Sequence, residues 1–183
     1  MALNNPTNHR NLYFRKAVVH PLLVWVVFPL MMQSCWWYSF SGTSIHPEAQ
    51  TISVGYIENR AERINPALSN TLTEALMDKY TKLTRLYVLG EDGDYAVEGR
   101  ITDYKVAPIA VTSDEVASMA RLTIVVQIVF ENKLDPSENF DRSFSAYEDY
   151  DSTLSLDAVE SSLVDAIVEK IVEDIFNATV ANW

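Results

Sequence analysis

Cysteine and histidine are scarce in this chain, and their scarcity excludes several kinds of site. Cys35 is the only cysteine among 183 residues, so no disulfide can form within the chain. Of the three histidines, His9 and His20 precede Cys35 and only His46 follows it. A zinc site of cysteine and histidine needs more of these ligands than the sequence provides. A Ser-His-Asp triad would have to use His46, and the sequence has no Gly-x-Ser-x-Gly elbow.

Basic residues are also few. Lysine and arginine number 14 against 25 acidic residues, which gives a formal net charge of −11 at pH 7. Nucleic acid and anionic lipid surfaces both repel a chain of this charge, so neither is an expected partner. Any attachment to a membrane would therefore depend on an anchor other than electrostatic attraction.

The sequence also lacks an apolar run that is long enough for a membrane-spanning helix. The run from Ala17 to Met32 covers about 16 residues, whereas a spanning helix needs about 20. His20, Pro21 and Pro29 interrupt it. We therefore reject a transmembrane anchor, and the run needs another interpretation.

The run has the features of a bacterial lipoprotein signal. Three basic residues and no acidic residue precede it: Arg10, Arg15 and Lys16. It leads to Cys35, with the small residue Ser34 immediately before the cysteine and Met32 three residues before it. In such signals a peptidase cuts before the cysteine, which then carries acyl chains. We expect cleavage after Ser34 and lipid attachment at Cys35; the alternative is a buried core cysteine after an ordinary hydrophobic helix.

The signal divides the chain into three parts. We expect a signal peptide over residues 1–34, a lipidated tether over residues 35–48, and a single domain over residues 49–183. Removal of the signal takes away three basic residues and no acidic one, so the formal net charge becomes −14. The tether carries four aromatic residues that could contact the lipid interface or pack on protein, and the sequence leaves both open: Trp36, Trp37, Tyr38 and Phe40.

Hydrophobic periodicity predicts an α+β fold. Alternation and turn residues predict strands over about 50–56, 86–89, 97–106, 121–130 and 140–147, with a long loop over 107–120. Helical spacing predicts one helix starting at Asn65 and Pro66 and another from Ser155 to about Asn177. The order strand-helix-strands-helix predicts two helices packed on one face of a roughly four-stranded, largely antiparallel sheet.

The predicted core positions follow from the same patterns. In the first strand, Ile52, Val54 and Tyr56 share one face. The apolar stripe of the first helix consists of Leu68, Leu72, Ala75, Leu76 and Leu83. The last helix has two adjacent apolar rows: Val159, Leu163, Ile167, Ile171 and Ile175 in one, and Val164, Val168, Val172 and Phe176 in the other. Such a wide apolar face predicts a core helix.

The strand over residues 121–130 has apolar residues on both faces. Its core face carries Leu122, Ile124, Val126, Ile128 and Phe130, and its other face carries Thr123, Val125, Gln127 and Val129. A sheet with helices on one side only usually has polar residues on its free face. Val125, Gln127 and Val129 are therefore the candidate partner-contacting face; neighbouring side chains on the same face are the simpler explanation.

Acidic clusters give no clear catalytic or metal site. The stretch Glu148–Asp151 lacks the regular oxygen ligands and the glycine of an EF-hand loop, so we expect a solvated acidic loop. Glu91–Asp94 is expected to be a turn. No carboxylate pair is singled out for acid–base catalysis, and we expect no enzyme, no cofactor and no metal. Asp151-Ser152-Thr153 has the form of a short bacterial O-glycosylation acceptor, which stays a hypothesis.

Several stretches together resemble one family. They are residues 39–45 (SFSGTSI), 65–76 (NPALSNTLTEAL), 115–124 (EVASMARLTI), 144–153 (FSAYEDYDST) and 175–183 (IFNATVANW). Behind a lipoprotein signal, this combination is similar to the lipopolysaccharide (LPS)-assembly lipoproteins of the LptE family. The resemblance covers nearly all of the chain after Cys35, and the predicted order of elements agrees with the helix-on-sheet fold of that family.

The resemblance implies a non-catalytic role. LptE-family proteins are tethered to the inner leaflet of the outer membrane, on its periplasmic side. They plug the LptD β-barrel, assist its assembly and support LPS delivery to the cell surface. Family members also bind LPS through basic residues near one end of the sheet, and Lys105 and Arg121 are the nearest candidates by placement. Two other classes stay open: a lipid-tethered assembly factor for another secretion or surface apparatus, and a lipoprotein enzyme.

Overall fold

The computed structural model describes residues 45–63, 65–109 and 119–181. The expected signal peptide, Cys35 and most of the expected tether lie outside these residues, as do residues 110–118 of the expected loop. The elements are β1 (Thr51–Val54), β2 (Glu58–Asn59), α1 (Leu68–Leu83), β3 (Tyr87–Leu89), β4 (Tyr95–Ile109), β5 (Met119–Asn132), a short 3-10 helix (Pro136–Glu138), β6 (Phe140–Asp151) and α2 (Leu156–Thr179).

The strands form one mixed sheet in the order β3-β1-β4-β5-β6, and β2 also pairs with β4. The three long strands β4, β5 and β6 are antiparallel neighbours. β1 is parallel to β3 and β4, and β2 is parallel to β4. The α+β fold class is confirmed. The sheet has six strands where about four were expected; β3 corresponds to the predicted strand over 86–89, and the two-residue β2 was not predicted.

The apolar residues of β5 and α2 form the centre of the hydrophobic core. Every second residue of β5 from Leu122 to Phe130 is at most 1% exposed. These side chains pack in one core with the two apolar rows of α2, in which Ile167, Ile171 and Ile175 are fully buried. Both patterns were predicted and both are confirmed, because each element crosses the core over most of its length.

The first helix departs from its predicted stripe at one position. It begins at Leu68, two residues later than predicted, and its N-cap is Ala67, which has no side-chain cap bond. Asn65 lies in the turn before the helix, where its Oδ1 accepts hydrogen bonds from the Ala67 and Leu68 amides at 3.0 and 3.2 Å. The prediction that Leu83 is buried was wrong, since Leu83 is 53% exposed. Tyr80 is buried instead, and its hydroxyl forms a 2.7 Å hydrogen bond with the Thr179 Oγ1 of α2. Burial raises the pKa of Tyr80.

The alternation of the first strand ends earlier than predicted. β1 stops at Val54, and the next residue, Gly55, begins an irregular segment before β2. As a result Tyr56 is 59% exposed and Ile57 is fully buried, so the expectation that Tyr56 faces the core was wrong. The Ile57 amide donates to the Thr73 Oγ1 of α1 at 3.1 Å, which fastens this segment to the helix.

The hairpin of β4 and β5 is longer than predicted. Its strands continue to Ile109 and from Met119, so both ends of the expected loop 107–120 are strand. The register shifts between Ile101 and Asp103, and this bulge returns Tyr104 to the core face. The stretch from Glu148 to Asp151, expected to be a loop, is the end of β6.

Candidate functional site: the helix-free face of the sheet

The outward-facing residues of β4, β5 and β6, on the side opposite the helices, form a surface that we call the helix-free face. The side chains of a strand alternate between the two faces of a sheet, so burial of the even-numbered residues of β5 turns the odd-numbered residues outward. Each of the following is partly exposed: Arg121, Thr123, Val125, Gln127 and Val129. The predicted partner-contacting residues and Arg121 therefore share one surface.

Gln127 lies at the centre of a hydrogen-bonded row across the three long strands. Its Oε1 accepts from the Arg100 Nη2 of β4 at 2.6 Å, and its Nε2 donates to the Asp141 Oδ1 of β6 at 2.7 Å. Both ends of the Gln127 amide are thus occupied. The row fixes this side chain flat against the sheet, so it presents a positioned surface to a partner.

Val125 and Val129 flank this row and supply the apolar part of the face. Val129 pairs with Glu98 on β4 and Asp141 on β6, whereas Val125 pairs with Asp103 and Ser145. Neither valine is covered by a described helix, and both are partly exposed. Tyr56 adds an aromatic ring at one side, because it borders the same surface groove as Gln127 and Val129. The groove has a volume of about 350 Å³.

Arg121 is engaged with two residues of β6. Its Nε and Nη2 donate to the two carboxylate oxygens of Asp149 at 2.7 and 2.9 Å. The guanidinium carbon lies 3.7 Å from the centre of the Tyr147 ring, in a cation–π contact. Hydrogen bonding to Arg121 holds the pKa of Asp149 below its usual range. This guanidinium is neutralised and held in place by its own sheet.

Lys105 lies on the same face and has a different environment. It pairs with Thr123 while Arg121 pairs with Ala107, so the two basic residues occupy diagonal positions on neighbouring strands. Lys105 is exposed and, within the part of the chain that the structure describes, it forms no ion pair. The structure thus brings the two predicted basic residues together with one of them paired and the other unpaired.

The described residues contain no group of histidine, cysteine, aspartate and glutamate side chains that could hold a metal ion. None of the described helices is long and apolar enough to cross a membrane. His46 serves a structural purpose, since its amide donates to the Tyr95 hydroxyl at 2.9 Å and its Nδ1 accepts from the Glu48 amide at 3.3 Å. These contacts fasten the end of the tether to the domain.

A comparison with known protein families identifies the family of this chain. The model of a family described as LptE, lipopolysaccharide-assembly, matches residues 49–179. The chain belongs to the LptE family. The matched segment includes every described strand and helix. LptE-family proteins are non-catalytic assembly factors, so membership assigns this chain to LPS assembly as a lipoprotein of the bacterial envelope.

Solved structures with a similar fold come from several bacteria. A minor lipoprotein from Acinetobacter baumannii is 15% identical, with a TM-score of 0.45 over 69% of this chain and 89% of that one. A hypothetical protein from Chlamydia trachomatis is 10% identical, with a TM-score of 0.49 over 69% and 94% of the two chains. At these values the likeness carries no functional argument. A search of curated protein sequences found no match.

The sequence pattern did not reveal the partners of the predicted site residues in this LptE-family chain. Arg100, Asp141 and Asp149 complete the polar contacts of the helix-free face. Arg100 and Asp141 were not singled out in advance, and Asp149 was considered only as part of an acidic loop. Alternation alone could have placed Asp141 and Asp149 on one face of β6. Pairing them with Gln127 and Arg121 requires the strand register, and pairing Arg100 requires the position of the bulge in β4.

Proposed function

We propose that this protein is an outer-membrane lipoprotein that plugs an LptD-type β-barrel and assists its assembly. The observation that supports this role is the helix-free face, where Val125, Val129 and Tyr56 remain partly or largely exposed around a fixed polar row. A water-exposed sheet face usually carries polar residues, and apolar side chains among them suit a surface covered by a partner. The wall of a barrel lumen is such a partner.

The proposal includes the attachment of the protein to the membrane. Residues 1–34 are removed as a signal peptide, Cys35 carries the acyl chains, and residues 35–48 tether the domain of residues 49–183. The acyl chains lie in the inner leaflet of the outer membrane, and the domain is on the periplasmic side. Two lipid signals already suffice for stable anchoring, so an acylated Cys35 needs no electrostatic attraction from this acidic protein.

Of the two basic residues on the helix-free face, Lys105 is better placed than Arg121 to contact LPS. An anionic group that binds Arg121 must compete with the bidentate Asp149 carboxylate. Lys105 is exposed and has no such competitor among the described residues. We therefore propose that Lys105 is the primary basic contact to an LPS phosphate, with Arg121 supporting it.

Site-specific photocrosslinking in the native host would test the barrel contact. A photoreactive phenylalanine analogue would replace Val125 or Val129 on the helix-free face, and Glu74 on the exposed side of α1 would serve as the matched control position. We expect crosslinks to a large β-barrel from Val125 and Val129 and none from Glu74. Crosslinks from Glu74 alone would contradict the assignment of this face.

Purification of the tagged protein from its outer membranes in mild detergent would test the partner itself. We expect an LptD-type barrel in stoichiometric amount when the co-purified proteins are identified by mass spectrometry. Recovery of the protein alone, or with components of another secretion or surface apparatus, would refute the plug. In that case the lipid-tethered assembly factor for another apparatus would become the leading interpretation.

A further inference from the structure

The outer edge of β6 is open. β6 stands at the end of the sheet and pairs with β5 along one side, and no described strand pairs with its other side. Backbone groups of a strand alternate between its two neighbours. The Tyr147 carbonyl accepts a hydrogen bond from the Lys170 Nζ of α2 at 3.4 Å, so the backbone groups of Tyr147 point away from β5. By alternation, Ser145 and Asp149 also direct their backbone amides and carbonyls to the open side.

The other β-ladder of β5 supports this assignment independently. The Thr102 Oγ1 of β4 donates to the Val125 carbonyl, so Val125 directs its backbone groups toward β4. Its neighbour Ile124 therefore directs its own toward β6, where it pairs with Ala146. Because the backbone groups of Ala146 point toward β5, the backbone groups of Ser145 and Tyr147 point toward the open edge. Both observations agree that the backbone groups of Ser145, Tyr147 and Asp149 point away from β5.

A groove runs beside this open edge. It is lined by residues 145–149 of β6 and by five residues of α2, namely Ala166, Glu169, Lys170, Glu173 and Asp174. Its volume is about 780 Å³, and five residues of strand span about 17 Å. The small side chain of Ala166 leaves space between the helix and the strand edge. The edge is thus accessible over several residues, and a helix forms the second wall.

The charge of the groove favours a basic occupant. Glu148, Asp149 and Glu173 form ion pairs with Lys170, Arg121 and Lys79 respectively. Among the described ion pairs none includes Glu169 or Asp174, which line the groove from α2. Lys170 is the only basic residue in the lining, and it bonds the strand edge itself. An incoming basic side chain could take over the partners of Lys170.

We propose that the β6 edge binds an extended, basic segment of a partner protein by strand addition. The segment pairs its backbone with Ser145, Tyr147 and Asp149 as a further strand of the sheet, and its lysine or arginine side chains approach Glu169 and Asp174. Lys170 leaves the Tyr147 carbonyl as the segment binds. Two copies of this edge would bring carboxylates against carboxylates, so a second copy of this chain is a poor occupant. The site uses the backbone edge of β6 and the neighbouring residues of α2, whereas the side chains of Tyr147 and Asp149 contact Arg121 on the helix-free face. It does not depend on the barrel contact.

Two peptides that differ only in their backbone would test strand addition. The probe is a fluorescent, end-capped peptide of alternating lysine and valine, and its control carries an N-methyl group on every backbone amide. Both have the same charge, but the control has no backbone N–H to donate to a strand edge. Fluorescence anisotropy measures their binding to the mature acylated protein in detergent, and we expect the control to bind about tenfold more weakly or worse. Equal binding of the two peptides, or no binding of either, would overturn the proposal.

Variants of the protein locate the site. Ser145→Pro removes an outward-facing amide that β5 does not use, and Ser145→Ala is its matched control. We expect the proline variant to lose the lysine–valine peptide, the alanine variant to keep it, and Lys170→Ala to bind it more tightly. Circular dichroism checks that Ser145→Pro is folded, and the peptide comparison still decides the proposal if it is not. Unchanged binding to a folded Ser145→Pro would place the peptide elsewhere.

Discussion

At the scale of single residues, Gly93 has the closest neighbouring backbone atoms among the described glycines. A Cβ there would lie 2.4 Å from the Ser53 amide nitrogen and 2.5 Å from the Tyr95 carbonyl oxygen. Both are backbone atoms of paired strands, so they cannot move aside without disturbing the sheet. We expect Gly93→Ala to lower the free energy of unfolding by about 1–3 kcal/mol, measured by urea denaturation.

Gly90 in the same loop provides the control for this prediction. A Cβ at Gly90 would meet no heavy atom within 4 Å. Gly90→Ala should therefore change the unfolding free energy by no more than about 0.5 kcal/mol. Equal losses in the two variants would mean that the close approach at Gly93 does not cause the effect.

Asp94 should make the stability of the domain sensitive to acid. Its Oδ2 accepts hydrogen bonds from the Gln50 amide, the Thr51 amide and the Thr51 hydroxyl, each at 2.9 Å. These bonds, the Gln50 amide foremost, hold the pKa of Asp94 below its usual value of about 4. The unfolded chain then binds the proton more readily, so this stabilisation is present above about pH 4 and is lost as the pH falls through the folded-state pKa.

The test compares urea denaturation of the wild type and Asp94→Asn between pH 7 and pH 3. We expect the variant to be less stable at pH 7 and to lose less of its stability on acidification. Asp165→Asn, an exposed position on α2, serves as the control and should keep the wild-type acid profile. If the unfolding free energy of Asp94→Asn depended on pH as that of the wild type does, another carboxylate would govern the acid response.

At the scale of elements, the two helices show what periodicity can and cannot predict. The rows of α2 were predicted in full, because this helix of 24 residues crosses the core and its apolar period continues to the end. In α1 the same period admits both Tyr80 and Leu83. The choice depends on α2, whose Thr179 offers the Tyr80 hydroxyl a buried partner. The sequence of α1 does not contain that information.

The contrast within α1 can be measured with two alanine substitutions. Leu76 is fully buried and Leu83 is 53% exposed, although both belong to the predicted stripe. We expect Leu76→Ala to cost about 2–5 kcal/mol of unfolding free energy, because it leaves a cavity. Leu83→Ala should cost no more than about 0.5 kcal/mol. Urea denaturation of both variants checks this, and similar losses would mean that Leu83 packs against something in solution.

At the scale of the whole molecule, the sequence predicted the fold class and one face of the sheet. Alternation is a local property of β5, so Val125, Gln127 and Val129 could be assigned to a common face in advance. The parallel pairing of β1 and β3 could not, because it depends on the path of the chain through α1. The contact between Arg121 and Asp149 likewise depends on the register of β5 and β6 across 28 residues of sequence.

We also expect anchoring and folding to be separate properties of the molecule. The described hydrophobic core extends from Ala49 to Ala181, and Cys35 lies outside the described residues. We expect Cys35→Ala, expressed in the native host, to lose acylation and to be lost from the outer-membrane fraction. Its circular dichroism and urea denaturation should match those of the wild type. Mass spectrometry of the N-terminus checks the acyl chains.

The outcome also decides the role of the aromatic residues in the tether. Acyl chains and tryptophan side chains both favour the membrane interface, but only the former are removed by Cys35→Ala. Ser39→Ala, in the same tether, controls for a change of sequence there and should remain acylated and membrane-bound. If Cys35→Ala stayed in the outer-membrane fraction while folded, Trp36 and Trp37 or a protein partner would be holding it, and lipid attachment would not be the anchor. If it failed to fold, the separation of tether and domain would be wrong.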